Sequence, residues 1–246
     1  MKFDVVTIFP AMVAAGLAEG VVSRGIAGGI LDVAIHNLRD FTTDRHRTVD
    51  DVPYGGGPGM VMKAEPLVKA VSDVRARRGA PDAVFVLSPQ GRRFTQDVAV
   101  ELSRMSHILF LCGRYEGMDE RVLTLVGAQE LSLGDFVVSG GELPALVVID
   151  AISRLIPGVV GDEQSVEQDS FSRGLLDHPH YTRPAEIAGM TVPDVLLSGH
   201  HGEVARWRKR AALARTLERR PDLIDEATLN EDERALLDEI REETGK

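Results

Sequence analysis

The segment DDVPYGGGPGM gathers Gly55, Gly56, Gly57 and Gly59 into one short loop. Glycines at this density let backbone come close to a ligand or partner, or they merely make a tight turn, and both readings stand. No lysine followed by Ser or Thr closes the loop, so it is not a Walker-type phosphate loop. Pro58 interrupts the helix start that a dinucleotide fingerprint needs. Three further glycine-bearing loops, LSPQGRRF, CGRYEGMDER and LGDFVVSGGELP, each follow an apolar run of strand character. In open α/β sheets ligands collect beyond the carboxyl ends of the strands. Loops with glycines, available backbone donors and acceptors and few bulky side chains suit a small-molecule pocket there.

Other residues with chemical potential read more plainly. His178, His180, His200 and His201 lack carboxylate or cysteine partners at zinc-like spacing, so no metal site is expected, and HPHY and GHHGE read as loop packing or RNA contacts. Cys112 stands alone in HILFLC, which predicts a buried thiol rather than a nucleophile. The net charge of -10 argues against nucleic acid. Yet RWRKRAALARTLERR, from Arg206 to Arg220, carries seven basic residues against Glu218 alone, and acidic residues dominate the tail beyond it. That stripe is either a solvated helix face or a phosphate-binding surface.

The elements that would position these residues follow from hydrophobic spacing. KFDVVTIF, LDVAIHNL, AVFVL and HILFLC read as strands, and AEPLVKAVSDVRAR and TQDVAVELSRM as helices. Their alternation predicts an α/β domain with a largely parallel sheet. The apolar stretch Leu143 to Leu155, stopped by Pro157 and Gly158, predicts a buried helix closing a domain over residues 1–160. The polar segment GDEQSVEQDSFSRG predicts a flexible connection over 161–176. Helical patterns around Val204 to Arg219 and Glu231 to Glu243, broken at Pro221, predict a small helical domain over 177–246. No apolar run is long enough to span a membrane, and MKFDVVTIFP lacks the features of a signal peptide, so a cytoplasmic protein is expected.

The ordered series DDVPYGGGPGMVMKAEPL, LSPQGRRF, LCGRYEGMDERV, LSLGDFVVSGGELPALVVIDAISRLIPGVVG, DSFSRGLLDHPHYTRP and LLSGHHGEVARWR resembles the bacterial tRNA (guanine-N1)-methyltransferases of the SPOUT superfamily. The resemblance implies a trefoil-knotted α/β domain, an exception to the rule that chains avoid threading their own loops. It implies an S-adenosylmethionine pocket formed by Leu87, Ser88, Pro89, Gly113, Tyr115, Glu116, Leu133, Gly134, Phe136, Val138, Gly140, Gly141 and Pro144. Val86 and Phe136 stand where relatives often carry tyrosine, so hydroxyl contacts there do not carry over.

The same resemblance implies a homodimer with an active site shared between subunits, Asp169 acting as general base and Arg154 as its partner. The implied substrate is tRNA with guanine at position 37 preceded by guanine at 36. Pro58, Gly59, Arg45, His46, Arg206, Arg208, Lys209 and Arg210 are the expected RNA contacts. Trp207 either stacks on an exposed base or packs inward. A magnesium dependence is also implied, although no loop offers an evident carboxylate cage.

Overall fold

The computed structural model describes residues 1–161 and 168–245. The chain divides into two compact units, Met1–Glu163 and Gln164–Lys246. In the first, β1 (Lys2–Thr7) leads through helices α1 (Pro10–Leu17) and α2 (Gly20–Ala27) to β2 (Asp32–Asn37). A short antiparallel pair, β3 (Asp50–Asp51) and β4 (Val61–Met62), precedes α3 (Ala64–Arg78), β5 (Ala83–Arg93), α4 (Gln96–Ser103) and β6 (His107–Cys112). Then come α5 (Arg121–Val126), β7 (Gln129–Ser132) and α6 (Glu142–Ser153). The main sheet has the order β2-β1-β6-β5-β7, and every pairing in it is parallel.

Period-2 alternation splits the strand side chains between two dry faces, as a parallel sheet covered on both sides requires. Phe3, Val5, Phe85, Ile108 and Phe110 face Val13 of α1, Val22 of α2, Leu102 of α4 and Val148, Ile149 and Ile152 of α6. Phe110 stacks between Phe3 and Phe85, with centroids 6.2 and 6.3 Å away. Val6, Val84, Val86, Leu109 and Leu111 face Leu67, Val71 and Val74 of α3 and Val122 and Val126 of α5.

Strands β1, β2, β5 and β6 and helices α3, α4 and α6 lie where the apolar spacing predicts them. Helices α1, α2 and α5 had no counterpart in that reading. A further difference concerns LSPQGRRF. It is not a loop that leaves a finished strand, because β5 resumes after a bulge: Phe85, Val86 and Leu87 pair with Gln129, Glu130 and Leu131, the register shifts, and Arg92 and Arg93 pair with Leu131 and Ser132.

Of the predicted connection over 161–176, residues 162–167 lie outside the described residues. Its remaining part is held by hydrogen bonds from Phe171 N to Leu175 O at 2.8 Å and from Leu176 N to Thr216 Oγ1 at 3.0 Å. Leu175 packs on a small core of Leu213, Leu229, Leu236, Leu237 and Ile240. A two-residue hairpin, β8 (Glu186–Ile187) and β9 (Met190–Thr191), precedes α7 (Asp194–Leu197), α8 (His201–Arg219) and α9 (Glu231–Thr244). Helix α8 stops before Pro221, and α9 opens with a capping box of Asn230 and Glu233. Among the described residues no helix is long and apolar enough to cross a membrane.

One strand residue breaks the apolar pattern. Asp4 in β1 has no exposure, and its Oδ1 lies 2.5 Å from His36 Nε2 while its Oδ2 lies 2.6 Å from His107 Nε2. Arg78 at the end of α3 donates through Nε at 2.8 Å. An ionised carboxylate only accepts, so both imidazoles present a protonated Nε2 to it. Burial alone would raise the Asp4 carboxyl; hydrogen bonds from His36, Arg78 and His107 hold it below its ordinary value instead. A carboxyl lowered in the folded state stabilises the fold above its unfolded pKa of about 3.9, and that stabilisation fades as pH falls through the folded value. Asp4→Asn is therefore expected to cost about 1–3 kcal/mol at pH 7, since it removes the buried acceptor charge that His36 and His107 face and leaves Arg78 with Asp32, at 3.0 Å, as its remaining carboxylate partner. Urea unfolding between pH 3 and 7 should show the variant with a smaller acid-dependent loss than the parent.

Candidate active site

The segments that follow the parallel pairings of β5, β6 and β7 converge at the carboxyl end of the sheet around a cavity of about 330 Å³. Leu87, Ser88 and Pro89 line it from the β5 bulge, and Gly113, Tyr115 and Glu116 from the loop after β6. Leu133, Gly134, Phe136, Val138, Gly140 and Gly141 line it from the loop after β7, and Pro144 from the first turn of α6. Every residue that the resemblance assigns to the cofactor thus borders one cavity. Val86, Gln90, Arg114, Asp119, Ser132 and Ser139 border it too. Apart from Val86 they went unremarked, since nothing but membership of the same motifs marks them in the sequence.

Backbone contacts hold the loops together. Gly141 N donates to Gly113 O at 2.9 Å, and Arg114 bridges Gly140. A Cβ on Gly141 would stand 2.7 Å from Cys112 Cα, and one on Gly140 would collide with the Arg114 side chain. The glycine-rich loop is fastened to the same place: Glu116 N donates to Met60 O at 3.0 Å, and Met62 N to Gly117 O at 2.9 Å. Gly59, at φ 79°, lies so close to Glu116 that a side chain there would strike it. Pro58 and Gly59 are exposed on this loop. Tyr115 sits at φ 62°, a conformation that non-glycine residues adopt at a cost and that clusters at ligand sites.

Cys112 forms the end of β6 beneath the cavity. Its burial, with the charge of Glu142 nearby, pushes the thiol well up, so it stays protonated at neutral pH and is no nucleophile.

Arg154 caps the C-terminal end of α6 and is exposed, in the first unit. Asp169, half-buried in the second, lines a separate cavity of about 190 Å³ with Arg173, His178, Arg208 and Lys209. Arg45 and His46 sit on an exposed turn whose backbone is tied by Asp44, which accepts from His46 N and Thr48 N at 3.1 Å. The basic stripe has two faces. Arg206 pairs with Glu239 at 2.8 Å and Arg210 pairs with Glu243, both on α9, whereas Arg208 and Lys209 turn toward the second cavity. Trp207 is half-buried and packs edge-on to His178 and beside Tyr181, at centroid distances of 6.4 and 6.2 Å, so it braces the HPHY loop.

HPHY has a carboxylate neighbour in the structure, although not one at zinc-like spacing. Asp177 bonds His178 Nδ1 and His180 Nε2, both at 2.7 Å. These three are residues whose ligand atoms lie within 4.8 Å of one another. The carboxylate is the immediate neighbour of His178, a spacing outside the usual zinc patterns. Burial holds His178 below its ordinary value and therefore neutral, and hydrogen bonding from His180 helps to keep Asp177 ionised.

Fold and pocket define the class: a parallel α/β protein with a cavity beyond the carboxyl ends of its central strands. Within that class, the chain belongs to the family described as tRNA (Guanine-1)-methyltransferase TrmD, whose model matches residues 1–226. It is 53% identical over 247 residues to the tRNA (guanine-N(1)-)-methyltransferase of Geobacter metallireducens, covering 100% of both chains. The protein of that name from Dehalococcoides mccartyi is 51% identical over 240 residues, with 98% of this chain and 97% of the relative covered. The one from Geobacter sulfurreducens is 52% identical, with 96% of each covered.

Gly141 has φ -77°, open to any residue, so only space excludes a side chain. Gly141→Ala should force the α6 start away from β6, costing about 1–3 kcal/mol of stability. Thermal unfolding should show that loss, and S-adenosylhomocysteine should no longer raise the melting temperature of the variant.

Proposed function

We propose that this protein transfers a methyl group from S-adenosylmethionine to N1 of guanine 37 in tRNAs whose position 36 is also guanine. The observation that carries the reading is the single cavity at the sheet's carboxyl end, bordered by every residue that the family resemblance assigns to the methyl donor. The cavity suits that donor chemically. Its walls alternate backbone polar groups with Leu87, Leu133 and Val138, and glycines leave room where side chains would close it. When bound, the donor supplies a methyl group already activated by a sulfonium.

Guanine N1 carries a proton, and N1 becomes nucleophilic as that proton leaves. The Asp169 carboxylate accepts it. Charge then grows on guanine O6, where the Arg154 guanidinium stabilises it with charge-assisted hydrogen bonds. Asp169 and Arg154 belong to different units of the chain. A homodimer in which one subunit's Arg154 meets its partner's Asp169 accommodates that division. The exposed apolar side chains of α6, Leu143 and Val147, together with Phe9, support a second copy as the neighbour of this face.

Trefoil threading around residues 88–141 is part of the same reading. It is supported by the return of the chain from the edge strand β7 to the centre of the sheet at α6, and by Gly91, whose backbone abuts that of Glu130 and Leu131. Arg208 and Lys209, with Arg45 and His46, serve the RNA phosphates. N1 lies on the pairing edge, so the substrate base is unpaired when it reacts, as an anticodon-loop base is. A magnesium dependence is implied by the resemblance alone, and such an ion would be held partly by RNA or methyl donor.

Label transfer from S-adenosylmethionine to a tRNA with guanines at 36 and 37 should be robust, and the same tRNA with adenine at 37 should remain unlabelled. Equal labelling of both would refute the positional assignment, whereas no labelling of either would favour an RNA-binding module without catalysis. Asp169→Ala and Arg154→Ala should each be nearly inactive. Mixed dimers of the two should recover part of the activity if the site is shared; none recovered would argue for a site within one subunit.

A further inference from the structure

Helix α6 begins with a carboxylate that has no access to solvent. Glu142 is fully buried, yet it does not border the cavity that Arg114, Ser139, Gly140 and Gly141 line. Its Oε1 accepts from Thr7 Oγ1 at 2.6 Å, and its Oε2 accepts from Arg114 Nε at 2.8 Å. The Thr7 hydroxyl accepts in turn from Phe9 N at 2.8 Å, which leaves its one proton for Glu142. Arg114 donates through one terminal nitrogen to Ser139 O at 3.1 Å and to Ser139 Oγ at 3.3 Å. Its guanidinium lies over the Phe9 ring, 4.6 Å from the centroid.

Three segments distant in sequence therefore meet on one buried charge: the end of β1, the loop after β6 and the loop entering α6. Burying an ion pair is costly, and packed apolar residues would often stabilise as well, so stability alone is a poor reason for this arrangement. What an apolar cluster would not provide is direction. A guanidinium fixed at Nε by Glu142 has Nη1 aimed at the carbonyl and hydroxyl of Ser139, next to the glycines that close the cavity, and Nη2 turned toward Met12 Sδ at 3.5 Å. The helix N-terminus favours the carboxylate at this point as well.

We propose that Glu142 is a positioning residue. Acting through Arg114, it holds Ser139, Gly140 and Gly141 in the shape that receives the methyl donor. The inference rests on the reading of the cavity as the S-adenosylmethionine site. Glu142 touches neither cavity nor substrate, so its removal weakens donor binding and leaves the transfer step within the bound complex largely intact.

The experiment uses the full-length protein with Glu142→Gln, which keeps the shape but loses the charge, and Arg114→Lys, which keeps the charge but loses the fork. Kd for S-adenosylhomocysteine is measured by calorimetry, and steady-state rates are measured with each substrate varied. Both variants are expected to raise that Kd and the KM for S-adenosylmethionine at least about tenfold, and Glu142→Gln, whose residue does not border the cavity, should keep kcat within about threefold of the parent and KM for tRNA unchanged. Thr7→Val leaves the ion pair in place and should give a smaller rise of the same kind; it carries the test should Glu142→Gln fail to fold. Folded variants with parental Kd, or with lowered kcat and parental Kd, would overturn the proposal. A parent protein that does not bind S-adenosylhomocysteine would instead overturn the reading of the cavity, and the proposal with it.

Discussion

At one point in this molecule two backbones touch with no side chain between them. Gly141 N bonds Gly113 O, and the space a Cβ would need at Gly141 is filled by the main chain of Cys112 and Gly113. Because β7 is an edge strand and α6 covers the middle of the sheet, the chain from 133 to 141 runs back across the ends of the central strands. The glycine contact fixes where that run ends. It sets the start of α6 against the end of β6, brings Glu142 under Thr7, and makes the returning loop a wall of the cavity. Packing of Ala145, Val148, Ile149 and Ile152 into the core then keeps the helix where the contact begins it.

Electrostatics in the second unit follow a similar economy of position. The helix of high positive charge and the acidic helix after it do not present two opposed patches, because Arg206 and Arg210 meet Glu239 and Glu243 across the pair, and Arg241 meets Glu226. Such exposed pairs contribute little stability, about 0–1 kcal/mol each. Their effect is on the field: they quieten one face and leave Arg208 and Lys209 facing the cavity that Asp169 shares. A chain of net charge -10 thereby keeps a local basic surface.

The sequence was most informative where structure is periodic or punctuated. Alternating apolar residues located β1 and β6, and Pro221 located the break after α8. The glycine loops announced a pocket by following strands, and the ordered motifs identified which residues border it. Pairing between distant segments was not legible. The resumption of β5 at Arg92 depends on Leu131 and Ser132, and no local pattern records it. Asp4 looks like an ordinary polar position in KFDVVTIF because His36, His107 and Arg78 are brought to it only by the sheet and α3. Glu142 is harder still: Arg114 is 28 residues away and Thr7 is 135. The Asp177 carboxylate was overlooked for the opposite reason, being too near His178 to fit a spacing rule.

The seclusion of Cys112 reaches beyond catalysis. It is the only sulfhydryl in the sequence, it has no exposed surface, and its neighbours keep it protonated. Maleimides act on accessible thiolates, so the native chain offers them none. A cysteine introduced on any surface loop would be the sole reactive thiol per chain. Spin labels or fluorophores can thus be attached to the glycine-rich loop or to either unit without first removing a native thiol and repacking the floor of the pocket.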